Sequence, residues 1–157
     1  MKKVIRKTML MVVVSLFTIS LSAQVGGQAY EDAKKEIIGV FGTFPSFFDA
    51  FPQYALPGAW QSFAELQGPG SIDKKNRELI GLAVAAQIPC DYCIYFHTQS
   101  AKAYGATDEE IKEAVAYSAL VRHWSTVIHG AQTDVEEFKT EFDGMMKYMS
   151  EQAAKAQ

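Results

Sequence analysis

Apolar residues recur at helical spacing through most of the chain. Between residues 74 and 88, and again from Val135 to Met149, apolar side chains return every three or four positions, as they do on one face of an amphipathic helix. We find no alternation of apolar and polar residues long enough to indicate a half-buried strand. The pattern predicts an all-α fold, a single-domain helical bundle of about six helices.

Capping and breaking residues indicate where the predicted helices begin and end. Two early helices are expected over about residues 30–40 and 57–66, and the phenylalanines between them are expected to form core or a subunit interface. Asp73 is expected to cap the next helix, Pro89 to open the one after it, and Gly105 to end that helix. Two capping-box patterns predict the starts of the last two helices: Thr107-x-x-Glu110 and Thr133-x-x-Glu136.

The first 23 residues have the three parts of a secretory signal peptide. Four basic residues come first, an apolar stretch from about Met9 to Leu21 follows, and Ala23 supplies a small residue at the expected cleavage point. We therefore expect residues 1–23 to be a signal peptide, residues 24–157 to be the domain, and the protein to be periplasmic or extracellular. An uncleaved N-terminal anchor is the alternative, although the stretch is shorter than the ~20 residues of a membrane span.

Removing the predicted signal peptide changes the charge balance. The signal peptide carries four of the 15 basic residues and none of the 18 acidic ones, so residues 24–157 have 11 basic residues and a net charge of −7. An acidic domain without a basic patch argues against nucleic acid and anionic membrane surfaces as partners.

The candidate chemistry lies in Cys90-Asp91-Tyr92-Cys93 and in His97. Cysteines at positions i and i+3 at the start of a helix share one face and can form a disulfide, and the helix N-terminus favours the reactive thiolate. His97 follows Cys93 by one turn, so it can exchange a proton with that sulfur. If the flanking helices form an antiparallel hairpin, Glu78 lies about 3 Å in axial rise from His97, at 1.5 Å per residue.

Two other uses of these residues remain open. A structural disulfide across so short a loop would stabilise the fold by only about 2 kcal/mol. A zinc site could use Cys90, Cys93 and His97 as ligands, but the sequence offers no clear fourth ligand.

The segment from Arg77 to Ala86, followed by Cys90-x-x-Cys93-x-x-x-His97, resembles the alkylhydroperoxidase-like, carboxymuconolactone decarboxylase-like family. The resemblance covers about residues 57–130 and implies an all-helical fold that assembles as homotrimers or hexamers. It also implies that Cys93 attacks the peroxide, that Cys90 resolves the sulfenic acid to a disulfide, and that His97 and Glu78 relay the proton. Tyr92 stands where the best-known hydroperoxidase members carry histidine.

The sequence thus predicts a thiol-dependent peroxidase of peroxiredoxin-type activity, with hydrogen peroxide or an organic hydroperoxide as substrate. No cofactor or metal is expected, whereas an external thiol reductant is required to restore both thiols. Two alternatives stay open: a dithiol–disulfide oxidoreductase acting on proteins, and a non-enzymatic helical oligomer whose C-x-x-C is structural or binds metal.

Overall fold

The computed structural model describes residues 27–155, and the predicted signal peptide lies outside them. Within that range the chain is helical and contains no strand, which confirms the all-α prediction. A 3-10 helix, Ser46–Ala50, accompanies six α-helices. These are α1 (27–41), α2 (Leu56–Gln67), α3 (Lys74–Gln87), α4 (Asp91–Ala103), α5 (Asp108–Gly130) and α6 (Val135–Lys155).

The helices fall into two compact units, one ending at Ser71 and the other beginning at Ile72. In the first unit, Ile37 of α1 and Leu56 and Trp60 of α2 are buried together. The expected use of the phenylalanines as core is confirmed for Phe48, whose ring lies 6.1 Å from that of Trp60. The indole Nε1 of Trp60 donates a hydrogen bond of 2.9 Å to Glu36.

In the second unit, α3 packs against both α4 and α5. The buried side chains of Leu82 and Ala85 on α3 and Ala101 on α4 are small or unbranched at Cβ, which lets the helices approach closely. Two ion pairs join α5 to the other two helices. Lys75 of α3 pairs with Glu110 at 2.7 Å, and Lys102 of α4 pairs with Asp108 at 2.8 Å.

The predicted caps are largely confirmed. Asp73 accepts a hydrogen bond from the amide of Asn76, and the Thr107 capping box is complete. Gly105 follows α4 with φ of +85°, a left-handed conformation that favours glycine.

Two predicted helix starts are displaced along the chain. The cap of α6 is Asp134 rather than Thr133, because its carboxylate accepts hydrogen bonds from the amides of Glu136 and Glu137. Helix α4 begins at Asp91, two residues after Pro89, because Cys90 serves as its N-cap.

Helix α6 is exposed along its whole length, including its apolar side chains. None of the helices between residues 27 and 155 combines the length and apolar character needed to cross a membrane.

Candidate active site

Cys90 and Cys93 form a disulfide at the N-terminus of α4. Their Cα atoms are 5.3 Å apart, within the usual range for a disulfide. Cys90 has an extended backbone, and its Sγ accepts a hydrogen bond of 3.3 Å from the amide of Cys93. The sulfur thus occupies the place that a serine or aspartate oxygen takes in most helix caps, where the first amides of the helix lack partners.

The second part of the site is a carboxylate–imidazole pair across the α3–α4 hairpin. Oε2 of Glu78 lies 2.7 Å from Nδ1 of His97. Glu78 is only 2% exposed, whereas the side chain of His97 is 25% exposed. A carboxylate is rarely buried without a partner, so the imidazole makes the burial of Glu78 possible and Glu78 in turn fixes the ring. The hairpin that places Glu78 beside His97 agrees with the arrangement expected from helical rise.

Helix α4 carries both the disulfide and the imidazole. His97 follows Cys93 by four positions and therefore lies one turn farther along the same face. Because Nδ1 of His97 is engaged by Glu78, Nε2 is the ring nitrogen that remains for proton exchange. Tyr92, between the two cysteines, projects into solvent with 89% exposure.

The sequence did not reveal a chain of hydrogen bonds that joins α5 to the end of α3. Nε of Arg122 donates to Oε1 of Gln87 at 2.8 Å, and Nε2 of Gln87 donates to the hydroxyl of Ser118 at 3.2 Å. These bonds hold the last residue of α3, three positions before Cys90. Ser118 is buried on α5, and buried hydroxyls are normally hydrogen-bonded.

The zinc alternative requires a cluster of ligands. Across residues 27–155, no three side chains of histidine, cysteine, aspartate or glutamate are grouped closely enough to hold a metal ion.

Two curated bacterial proteins are similar to parts of this chain. A protein from Paracoccus denitrificans, named uncharacterized protein 4 in cox locus, is 38% identical over 60 residues, which are 38% of this chain and 54% of that protein. An uncharacterized protein from Cupriavidus necator is 43% identical over 47 residues, which are 30% of this chain and 42% of that protein. The chain thus spans about half the length of the curated relatives it matches.

Among solved structures, the crystal structure of the alkylhydroperoxidase AhpD core from Rhodospirillum rubrum superposes with a TM-score of 0.62. The match covers 76% of this chain and 91% of that one, at 23% sequence identity, and it shows that the two share a fold. The family model described as the carboxymuconolactone decarboxylase family matches residues 47–132, more than half of the chain. These matches place the chain in the carboxymuconolactone decarboxylase family, with an AhpD-like helical fold.

Proposed function

We propose that this protein is a thiol-dependent peroxidase that reduces hydrogen peroxide or small organic hydroperoxides through Cys90 and Cys93. The observation that carries the proposal is the presence, on one helix, of a redox-capable cysteine pair and of an imidazole held by a buried carboxylate. A merely structural disulfide would have no need of the Glu78–His97 pair beside it.

The proposed reaction begins with the reduced pair. The Cys93 thiolate attacks one oxygen of the hydroperoxide, the O–O bond breaks, and the alcohol or water leaves with a proton. Cys93 is then a sulfenic acid, which the Cys90 thiol attacks to form the disulfide and release water. An external dithiol returns two electrons and two protons, and it becomes a disulfide itself.

Glu78 and His97 serve this scheme as a proton relay. The imidazole accepts the thiol proton of Cys93 and supplies one to the leaving oxygen, directly or through a water. The carboxylate orients the ring and stabilises its protonated form, as an acidic residue does in other nucleophile–histidine sites. General acid–base catalysis of this kind contributes about 10²–10⁴-fold to a rate.

We further propose that the protein works outside the cytoplasm, as the sequence of residues 1–23 suggests, and that it assembles as a homo-oligomer. The apolar side chains that remain exposed on α5 support the second point, among them Trp124 with 57% exposure. The external reductant and the hydroperoxide are the partners that the proposed chemistry requires.

A second candidate is dithiol–disulfide exchange with other proteins. The observation in its favour is that large apolar side chains next to the disulfide are exposed: Ile88, Tyr92 and Tyr95. Such a surface suits contact with a polypeptide, whereas a small peroxide does not require one.

The test counts free thiols in the reduced protein after one equivalent of hydroperoxide is added. We expect wild type to lose both thiols rapidly, Cys90→Ser to accumulate a sulfenic acid, and Cys93→Ser to be inert. If wild-type thiols persist as long as those of free cysteine, the peroxidase proposal fails. Rapid exchange with a disulfide-bonded peptide in that case would favour the second candidate.

A further inference from the structure

Gly81 lies on α3, three positions after Glu78, and the imidazole of His97 packs directly on it. A Cβ atom built on Gly81 would be 2.5 Å from Cε1 and Nδ1 of His97 and 2.8 Å from Nε2. Nearly equal distances to three atoms of the ring mean that a face of the imidazole, rather than its edge, covers the glycine. The ring therefore occupies the space that a side chain at position 81 would fill.

This contact distinguishes Gly81 from the other glycines in the helices of residues 27–155. A Cβ atom at Gly39, Gly58 or Gly144 would meet nothing within 4 Å. Glycine inside a helix is less favourable than alanine by about 0.5–1 kcal/mol, because its backbone loses more freedom on folding. At position 81 that disadvantage is offset by a close approach between the helix backbone and His97.

We propose that Gly81 is the positioning residue that sets His97 for its hydrogen bond with Glu78. Residues 78 and 81 lie on the same face of α3, so the backbone at 81 supports the ring while the carboxylate at 78 holds Nδ1. The catalytic meaning of this role rests on the proposed function, but the steric relationship does not.

Alanine at position 81 cannot be accommodated without movement of the ring. Contacts below 3.0 Å are essentially absent for real Cβ atoms, so His97 must move away from α3. The side chain of His97 is partly exposed, and solvent is the direction in which it can move. That movement lengthens or breaks the 2.7 Å contact with Glu78.

The test compares Gly81→Ala with Gly144→Ala, a helical glycine in open space. Nuclear magnetic resonance of the His97 ring reports the hydrogen bond at Nδ1, and thermal unfolding reports stability. We expect Gly81→Ala to shift the His97 ring signals and to slow thiol loss by up to the factor of about 10²–10⁴ that the relay contributes. Gly144→Ala should leave the rate and the ring signals unchanged and raise the melting temperature slightly.

A second pair of variants separates a steric role from a general effect on α3. With His97→Ala present, the ring is gone, so Gly81→Ala should slow the reaction no further and should raise the melting temperature as Gly144→Ala does. If Gly81→Ala alone fails to fold, recovery of folding in the double variant supports the proposal.

Unchanged ring signals in Gly81→Ala, or an equal loss of stability with and without His97, would overturn the proposal. Because ring signals and stability are measured without peroxide, they test the role of Gly81 even if the protein proves not to be a peroxidase. Failure of the proposed function would instead appear as unreactive thiols in wild type.

Discussion

Replacing Glu78 with glutamine separates the charge of the buried carboxylate from its size. Glutamine has nearly the same shape and can still accept a hydrogen bond from Nδ1 of His97, so the variant removes the charge and keeps a neutral bond. Hydrogen bonds to charged groups contribute about 1.5–3 kcal/mol, and neutral ones about 0.5–1.5 kcal/mol. Since His97 is partly exposed to solvent, we expect the free energy of unfolding to fall by about 1 kcal/mol.

A loss of that size lowers the melting temperature by about 3 °C for a domain of this length. Thiol loss should slow by about 10²-fold, the lower end of the range for general acid–base catalysis, because a neutral amide stabilises the protonated imidazole less than a carboxylate does. Both quantities can be measured on one preparation, by circular dichroism on heating and by rapid mixing of reduced protein with hydroperoxide.

Glu36→Gln is the matched control. Glu36 also binds a ring N–H, that of Trp60, but it lies in the first unit. Because Glu36 is exposed whereas Glu78 is buried, its replacement should lower the melting temperature by less, and it should leave the rate of thiol loss within about twofold. A Glu78→Gln protein that melts at a lower temperature but reacts at the wild-type rate would refute the link between the carboxylate and the chemistry. If Glu36→Gln slowed the reaction equally, the rate would be following stability rather than the relay.

Three further outcomes are expected. Asp134→Ala should lower the free energy of unfolding by about 1 kcal/mol, because the aspartate is the cap of α6, whereas Thr133→Ala should lower it by much less. Denaturant unfolding measures both losses, and equal losses would contradict this assignment. The hydrogen bond from Lys75 holds the pKa of Glu110 below its ordinary value of 4.5. The stability that the ionised Glu110 contributes is therefore present above pH 4.5, and it is lost as the pH falls through the lower pKa of the folded state. Lys75→Gln should therefore make the melting temperature fall less steeply as the pH is lowered. An unchanged dependence of the melting temperature on pH would show that the Lys75–Glu110 pair does not contribute to stability. Tyr92→Phe should keep the rate of thiol loss within about twofold, since the hydroxyl is in solvent, and a larger fall would place Tyr92 in the relay.

Much of the fold could be predicted because its helix ends are encoded locally. Asp73, Thr107 and Gly105 each act on amides or backbone angles within a few residues, and the sequence displays all the groups involved. Helix α4 begins next to Cys90, as its cysteine pair predicts, but at Asp91 rather than at Pro89, because a cysteine sulfur, which is not a usual cap, is its N-cap. The cap of α6 differs from the prediction by one residue, because Thr133 and Asp134 are both good capping residues and only the hydrogen bonds decide between them.

The candidate site also has one part that the sequence could anticipate and one part that it could not. The pairing of Glu78 with His97 follows from helical rise once a hairpin is assumed, so the sequence could anticipate it. The contact of Gly81 with the imidazole could not be anticipated, because it depends on the distance between two helix axes and on the rotamer of His97. A glycine in the middle of an apolar helix was the only local hint, and such a glycine commonly has a packing reason.

The α3–α4 hairpin has a consequence for how the site forms during folding. Glu78 and His97, the most distant of the four site residues, are only 19 positions apart in the chain. Contacts between residues that are near in sequence require little loop closure, and proteins rich in such contacts fold quickly. We therefore expect the site to take shape as soon as this one hairpin forms, early on the folding route and before the slower pairing of distant segments.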